Sequence, residues 1–326
     1  MGIFDQSILR GRRVLPDVAE PVTSFGIGVK ELLSGGRIDQ DKSLVAIDMN
    51  PETDVIYLRE AGGLVYSFGF DKNIIWTSAP VYGNTPRIRY NPYNDVLGAL
   101  GSYQIYIDAS TGTEIYREGH YVAYDMAPDR SNGSFIVTTR SPSILRHHPL
   151  DQDYDFWDLP SPSNDQYGKA VTYTNDGRLF VGASQYLVEV RPDLRASKVV
   201  EFMDNVIRRM IASGGGFIAV IFDDLTLRYF DKDLNEIWRR EFPEVQYYVS
   251  FYALDMDKFG DVYLFFETQF DGHKFYRMSG KNGNTILDFE EISETKHTGP
   301  YRDIRVFDDG RVLSCSGDTY RLLAQV

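Results

Sequence analysis

The chain has 326 residues, a formal net charge of −13, one cysteine, and 14% aromatic residues, including 22 Tyr and 20 Phe. That charge argues against general affinity for nucleic acid or anionic membranes, both of which need basic surface. The lone Cys315 excludes an intrachain disulfide, and no segment approaches the 18 apolar residues of a membrane-spanning helix.

The first residues, MGIFDQSILRGRRVLPD, contain no apolar run of signal-peptide length, so the sequence predicts cytoplasmic synthesis without an export signal. Residues 1–20 form an N-terminal arm that belongs to no repeat. It carries Arg10, Arg12 and Arg13 beside Ile3, Phe4, Ile8 and Leu9, a composition that orders only against another surface. Residues 21–326 are expected to form one domain. Its opening stretch, VTSFGIGV (22–29), is extended in character.

Seven tight polar turns then follow, each between two apolar strands. They are NPETD at 50–54, NPYND at 91–95, PDRSNG at 128–133, NDG at 175–177, SGGG at 213–216, DKFGD at 257–261 and DDG at 308–310. Self-similarity at about 40–50 residues marks stacked supersecondary units. In the first unit four strands can be counted: SLVAIDM (43–49), DVIYL (54–58), LVYSFGF (64–70) and IIWTS (74–78). Short connections make this an antiparallel meander. The seventh unit has only three strands, DIRVF, RVLSC and TYRLLAQV, before Val326. The predicted fold is therefore all-β: a seven-bladed β-propeller of four-stranded antiparallel blades, the last closed by an N-terminal strand from 22–29. Six or eight blades are the alternative counts. Closure of that kind removes open sheet edges. Cys315, in the strand RVLSC, reads as a small core residue, and Asn132-Gly133-Ser134 as turn chemistry.

A sub-motif recurs on the first strands: AIDM at 46–49, AYDM at 123–126 and ALDM at 253–256. In a propeller these strands line the central channel. Asp48, Asp125 and Asp255 then hold equivalent places, with Arg89 in the same column. Such a ring either binds a cation or polar ligand, or serves structurally by capping turn amides and pairing with the next blade. The structural role is the expected one.

The third and fourth strands, GGLVYSFGFDKNIIW, GSYQIYIDASTGTEIY, DDLTLRYFDKDLNEIW and HKFYRMSGKNGNTIL, resemble repeats of pyrroloquinoline-quinone-like β-propellers. Trp76 and Trp238 stand where that family's docking tryptophan would be, and Tyr116 replaces it in the second repeat. The resemblance implies a propeller fold. It does not extend to the quinone enzymes, whose adjacent cysteine pair is missing, so it points to the non-enzymatic branch and to no cofactor.

The remaining candidates are weak as chemistry. Adjacent His147 and His148 point to opposite faces of a strand. Asp151, Asp153, Asp155 and Asp158 alternate in DQDYDFWD but lack the glycine and distal glutamate of a helix–loop–helix calcium site. This segment reads as a loop in which Tyr154, Phe156 and Trp157 offer a protein-binding patch. No nucleophile elbow or phosphate loop is present. The expectation is a non-catalytic interaction or structural module, with protein partners reached through the arm and blade loops. A virion or phage-tail component, with copies arranged in a homo-oligomeric ring, fits that pattern. The alternative is a lyase or sugar-acting hydrolase with its site at the channel mouth, where Arg87, Arg89, Arg208, Arg209, Arg302 and Arg305 would be its cations.

Overall fold

The computed structural model describes residues 24–82, 87–119, 123–139, 143–158, 168–174, 176–202, 206–212, 216–242, 253–268, 272–289 and 301–326. The arm, with Arg10, Arg12 and Arg13, lies outside the described residues.

The strands gather into seven four-stranded antiparallel sheets. Strand β1 (Val29–Gly36) comes before the first complete sheet. Blade 1 is β2 (Leu44–Asn50), β3 (Val55–Glu60), β4 (Val65–Phe68) and β5 (Ile74–Thr77). Blade 2 is β6 (Arg87–Asn91), β7 (Val96–Leu100), β8 (Gln104–Asp108) and β9 (Glu114–Glu118). Blade 3 is β10 (Ala123–Pro128), β11 (Phe135–Thr139), β12 (Ser143–His148) and β13 (Asp153–Asp158). Blade 4 is β14 (Gly168–Tyr173), β15 (Leu179–Ala183), β16 (Tyr186–Val190) and β17 (Ala196–Glu201). Blade 5 is β18 (Ile207–Ala212), β19 (Ile218–Phe222), β20 (Thr226–Phe230) and β21 (Glu236–Glu241). Blade 6 is β22 (Ala253–Met256), β23 (Val262–Thr268), β24 (Gly272–Met278) and β25 (Thr285–Asp288). Blade 7 is β26 (Tyr301–Val306), β27 (Arg311–Ser316) and β28 (Thr319–Gln325), with β1 as its outer strand.

The first strand of each blade lies beside that of the next, and β26 lies beside β2, which closes the ring. Middle strands are buried throughout, as in IAVIF of β19, whereas outer strands are half exposed. The hydrophobic clusters sit between neighbouring blades. One joins Ala46, Tyr57 and Trp76 of blade 1 to Ile88, Leu97 and Ile105 of blade 2.

The turns explain why the repeats are so regular. Each first turn places one residue at positive φ: Asp54 and Asp95 in blades 1 and 2, then Gly133, Gly177, Gly216, Gly260 and Gly310. Glycine and aspartate are the residues that tolerate this conformation. In the third turn, Asn132 Oδ1 accepts a hydrogen bond from the Ser134 amide at 2.9 Å. Cys315 is fully buried in the core between blades 7 and 1.

Closure differs in register from the sequence reading. The outer strand of blade 7 is residues 29–36, not 22–29; Val29 pairs with Gln325 and Gly36 with Thr319. Gly28 still exchanges backbone hydrogen bonds with Val326, and residues 24–26 beyond it are pinned by Arg277, which is fully buried. Its guanidinium donates to Gly26 O at 2.8 Å, Phe25 O at 3.0 Å, Gln325 Oε1 at 2.9 Å and Asp261 Oδ2 at 2.9 Å, and also meets Ser24 Oγ.

The expected docking tryptophans dock. Trp76 Nε1 donates to Ala109 O at 2.8 Å on the third turn of blade 2, with its ring where a Cβ on Gly112 would fall. Trp238 Nε1 donates to Gly280 O at 2.8 Å on blade 6, beside Gly283, and its ring stacks on Tyr229 at 4.9 Å. Tyr116 instead packs against Tyr106 and His147 of the interface between blades 2 and 3. Replacing Trp76 with Ala is expected to cost about 3–5 kcal/mol, because it removes a buried ring and orphans a carbonyl. Urea unfolding measures it.

His147 carries a second expectation. It is fully buried among Tyr106, Tyr116 and Tyr154, and neither ring nitrogen has a hydrogen-bond partner among the described residues. Burial pushes its pKa down from 6.5 to about 4. The unfolded chain therefore binds a proton at a higher pH than the folded one. The neutral ring's contribution is complete above pH 6.5 and is lost as pH falls toward 4. The loss is about 3 kcal/mol. Unfolding free energies for wild type and His147→Phe should diverge across that window. Equal slopes for the two proteins would remove the assignment.

Candidate functional site at the channel mouth

The first strands converge on the channel, and their aspartates perform one repeated task. Asp48 Oδ2 accepts from the Tyr90 amide of blade 2 at 2.9 Å, and Asp125 Oδ2 from the Val171 amide of blade 4 at 3.3 Å. Asp255 Oδ2 accepts from the Val306 amide of blade 7 at 2.7 Å. Asp303 Oδ2 accepts from the Ile47 amide of blade 1 at 3.4 Å. Each carboxylate thus fastens its blade to the first strand of the following one. Three also cap their own strand, through the amides of Met49, Met256 and Ile304.

Three arginines neutralise this ring. Arg87 of blade 2 pairs with Asp125 at 3.0 Å and reaches across to Asp303 at 3.1 Å. Arg89 pairs with Asp303 at 3.0 Å. Arg305 of blade 7 bridges Asp48 at 3.2 Å and Asp255 at 3.3 Å. Burial alone would raise the Asp303 carboxyl, but Arg89 and Arg87 override it and hold it below its usual range. At Asp255 burial wins over Arg305, and the carboxyl is raised. Burial opposes the charge of Arg305, and Asp48 and Asp255 overcome it, raising the guanidinium pKa.

The structure brings Asp48, Arg89, Asp125 and Asp255 together around the channel, each bonded to another blade. Two of the alternative reading's arginines, Arg87 and Arg305, join them. Asp303 was missed. Its signal was present: an Asp followed by an apolar residue on the first strand of repeat seven, in DIRVF. A bulge between Tyr301 and Asp303 shifts its register, as another does before Asp125. The side chains of Arg208 and Arg209 lie outside the described residues, and Arg302 is half-buried on β26.

At the end of the channel where the first turns lie, a polar cavity of about 330 Å³ opens. Arg87, Arg89 and Arg305 reach it from the ring, and Arg130, Lys258 and Asp308 stand around its mouth. Lys258 Nζ lies over the rings of Phe25 and Phe259 at 5.5 and 5.2 Å. Among the described residues no group of three or more His, Cys, Asp or Glu side chains gathers as a metal site requires.

DYDFWD, residues 153–158, is a strand rather than a loop, and Asp151 and Gln152 form the turn before it. Its aromatics divide between the faces of β13. Tyr154 packs toward blade 2 and Trp157 toward blade 4, both half-buried, and Phe156 is 41% exposed. Asp155 meets His148 Nε2 at 3.3 Å.

Among solved structures, the β-propeller domain of Cps50 (Swd1) from Myceliophteria thermophila superposes at a TM-score of 0.71 with 13% identity, covering 91% of this chain and all of that one. The chain folds as a seven-bladed β-propeller. No family model matches it, that of the quinoprotein-like repeats included, and no curated protein matches. At 13% identity the likeness speaks for the fold of the propeller and not for its partners.

Proposed function

We propose that this propeller is a non-catalytic interaction module within a larger assembly. The observation that carries the reading is the channel ring: its four aspartates and three arginines are engaged in joining blades. Carboxylates spent in this way hold a rigid scaffold. They are not poised to exchange protons with a substrate.

The rim supports the same reading. Phe70, Ile74 and Ile75, at the outer edge of blade 1, are 38%, 50% and 55% exposed. An apolar edge strand of this kind invites a partner. Ser24, the first described residue, is held at blade 6 by Arg277 and Asp261. In this reading Arg10, Arg12 and Arg13 tether an acidic partner, and Phe156 adds contact area on blade 3. The finer version makes the assembly a virion or phage tail, with copies of the chain in a ring.

The test is size-exclusion of the chain with its native neighbours. A stable complex is expected, lost when Phe70, Ile74 and Ile75 are all replaced by Ser. Elution of both proteins as monomers removes the reading, and the chain's absence from purified virions removes its finer version.

A further inference from the structure

We propose that the cavity at the channel mouth is a binding site for a small molecule carrying an oxyanion, a carboxylate or phosphate, gripped by Arg130 together with Arg87 and Arg305.

The argument rests on a mismatch between spent acceptors and unspent donors. Both oxygens of each ring carboxylate, Asp48, Asp125, Asp255 and Asp303, already accept hydrogen bonds. The guanidiniums are not exhausted. Arg87 uses Nε and Nη1, and Arg305 uses Nε and Nη1; the Nη2 of each makes no hydrogen bond among the described residues. Arg130 makes none at all among them, although it lines the same cavity. Unspent guanidinium donors on three arginines that line one cavity can together bind oxygen lone pairs.

The electrostatics agree. Arg130 is solvent-exposed yet hemmed in by the protein around the mouth. That desolvation, and then the Arg305 cation, pull its pKa below the ordinary range. Two cations that repel across a polar cavity are relieved by an anion between them. A cavity of about 330 Å³ exceeds a bare inorganic ion and stands at the small end of organic-ligand sites. The carboxylate of Asp308, exposed at the rim and without a hydrogen bond among the described residues, opposes an anion and so tunes the site. This site is independent of the rim surfaces assigned to partners.

Calorimetric titration of the full chain with inorganic phosphate, malonate and neutral glucose, at constant ionic strength in chloride, tests the proposal. Phosphate or malonate is expected to bind and to raise the melting temperature, and glucose is not. Arg130→Gln, at an exposed position, should melt like wild type without ligand and bind the anion about tenfold more weakly. Asp308→Asn should bind it more tightly. Either of two results overturns the site: neither anion binds wild type, or Arg130→Gln binds as well as wild type. So does tight binding only of an acidic peptide, which would make the mouth a protein-docking point.

Discussion

Replacing Asp303 with Ala should be the most damaging single change in the molecule. Asp303 accepts from Arg87, Arg89 and the amides of Ile47 and Ile304, and is only 2% exposed. Its removal strands two buried guanidiniums that stand side by side on β6, Arg87 and Arg89, and opens the joint between blades 7 and 1. Breaking a buried charge pair from one side costs about 3–5 kcal/mol, because the stranded charge keeps its desolvation penalty. Asp48→Asn or Asp125→Asn should cost less, about 1–2 kcal/mol, since the amide keeps an oxygen for the next blade's backbone. Adding Arg89→Met to Asp303→Ala should recover part of the loss. Urea midpoints at constant m measure all four proteins. An Asp303→Ala protein within about 1 kcal/mol of wild type would mean that the ring does not hold the blades.

Truncation from the N-terminus should show a sharp boundary. Deleting residues 1–23 leaves β1, Ser24, Phe25 and Gly26 in place, so the melting temperature should not change. Deleting residues 1–36 removes the outer strand of blade 7, the buried Leu33 and three acceptors of Arg277. The cost is expected to exceed about 3 kcal/mol, from lost apolar burial and an under-bonded buried cation. The exposed edge of β28 should also promote aggregation. A 37–326 chain that melts with wild type would show that blade 7 stands with three strands. A 24–326 chain that melts early would place a stabilising role in the arm itself.

The repeat count, the strand order within blades and the turn positions were legible in the sequence because they are local. In the first turns the positive-φ residue is Gly or Asp, so Asp54, Asp95, Gly133 and Gly310 announce their turns without reference to the rest of the chain. A short continuous apolar run likewise declares buried strands such as IAVIF. The aspartates at 48, 125 and 255 could be aligned because each follows the same apolar lead-in. Trp76 and Trp238 could be placed by the resemblance of their repeats to those of quinoprotein-like propellers.

Tertiary structure decided everything that depends on who faces whom across the ring. Which eight residues close blade 7 is set by pairing with β28 some 290 positions away, and both VTSFGIGV and VKELLSGG are extended enough to serve. Asp303 and Arg305 join the aspartates only because a bulge shifts β26 and ring closure brings blade 7 within reach of blade 2 past the first strand of blade 1. The division of Tyr154, Phe156 and Trp157 between two faces follows from β13 being an outer strand wedged between neighbours, which its acidic composition conceals. Local conformational preference acts over a few residues and can be read from them. Ion pairing and register across more than 200 positions are fixed only when the chain meets itself.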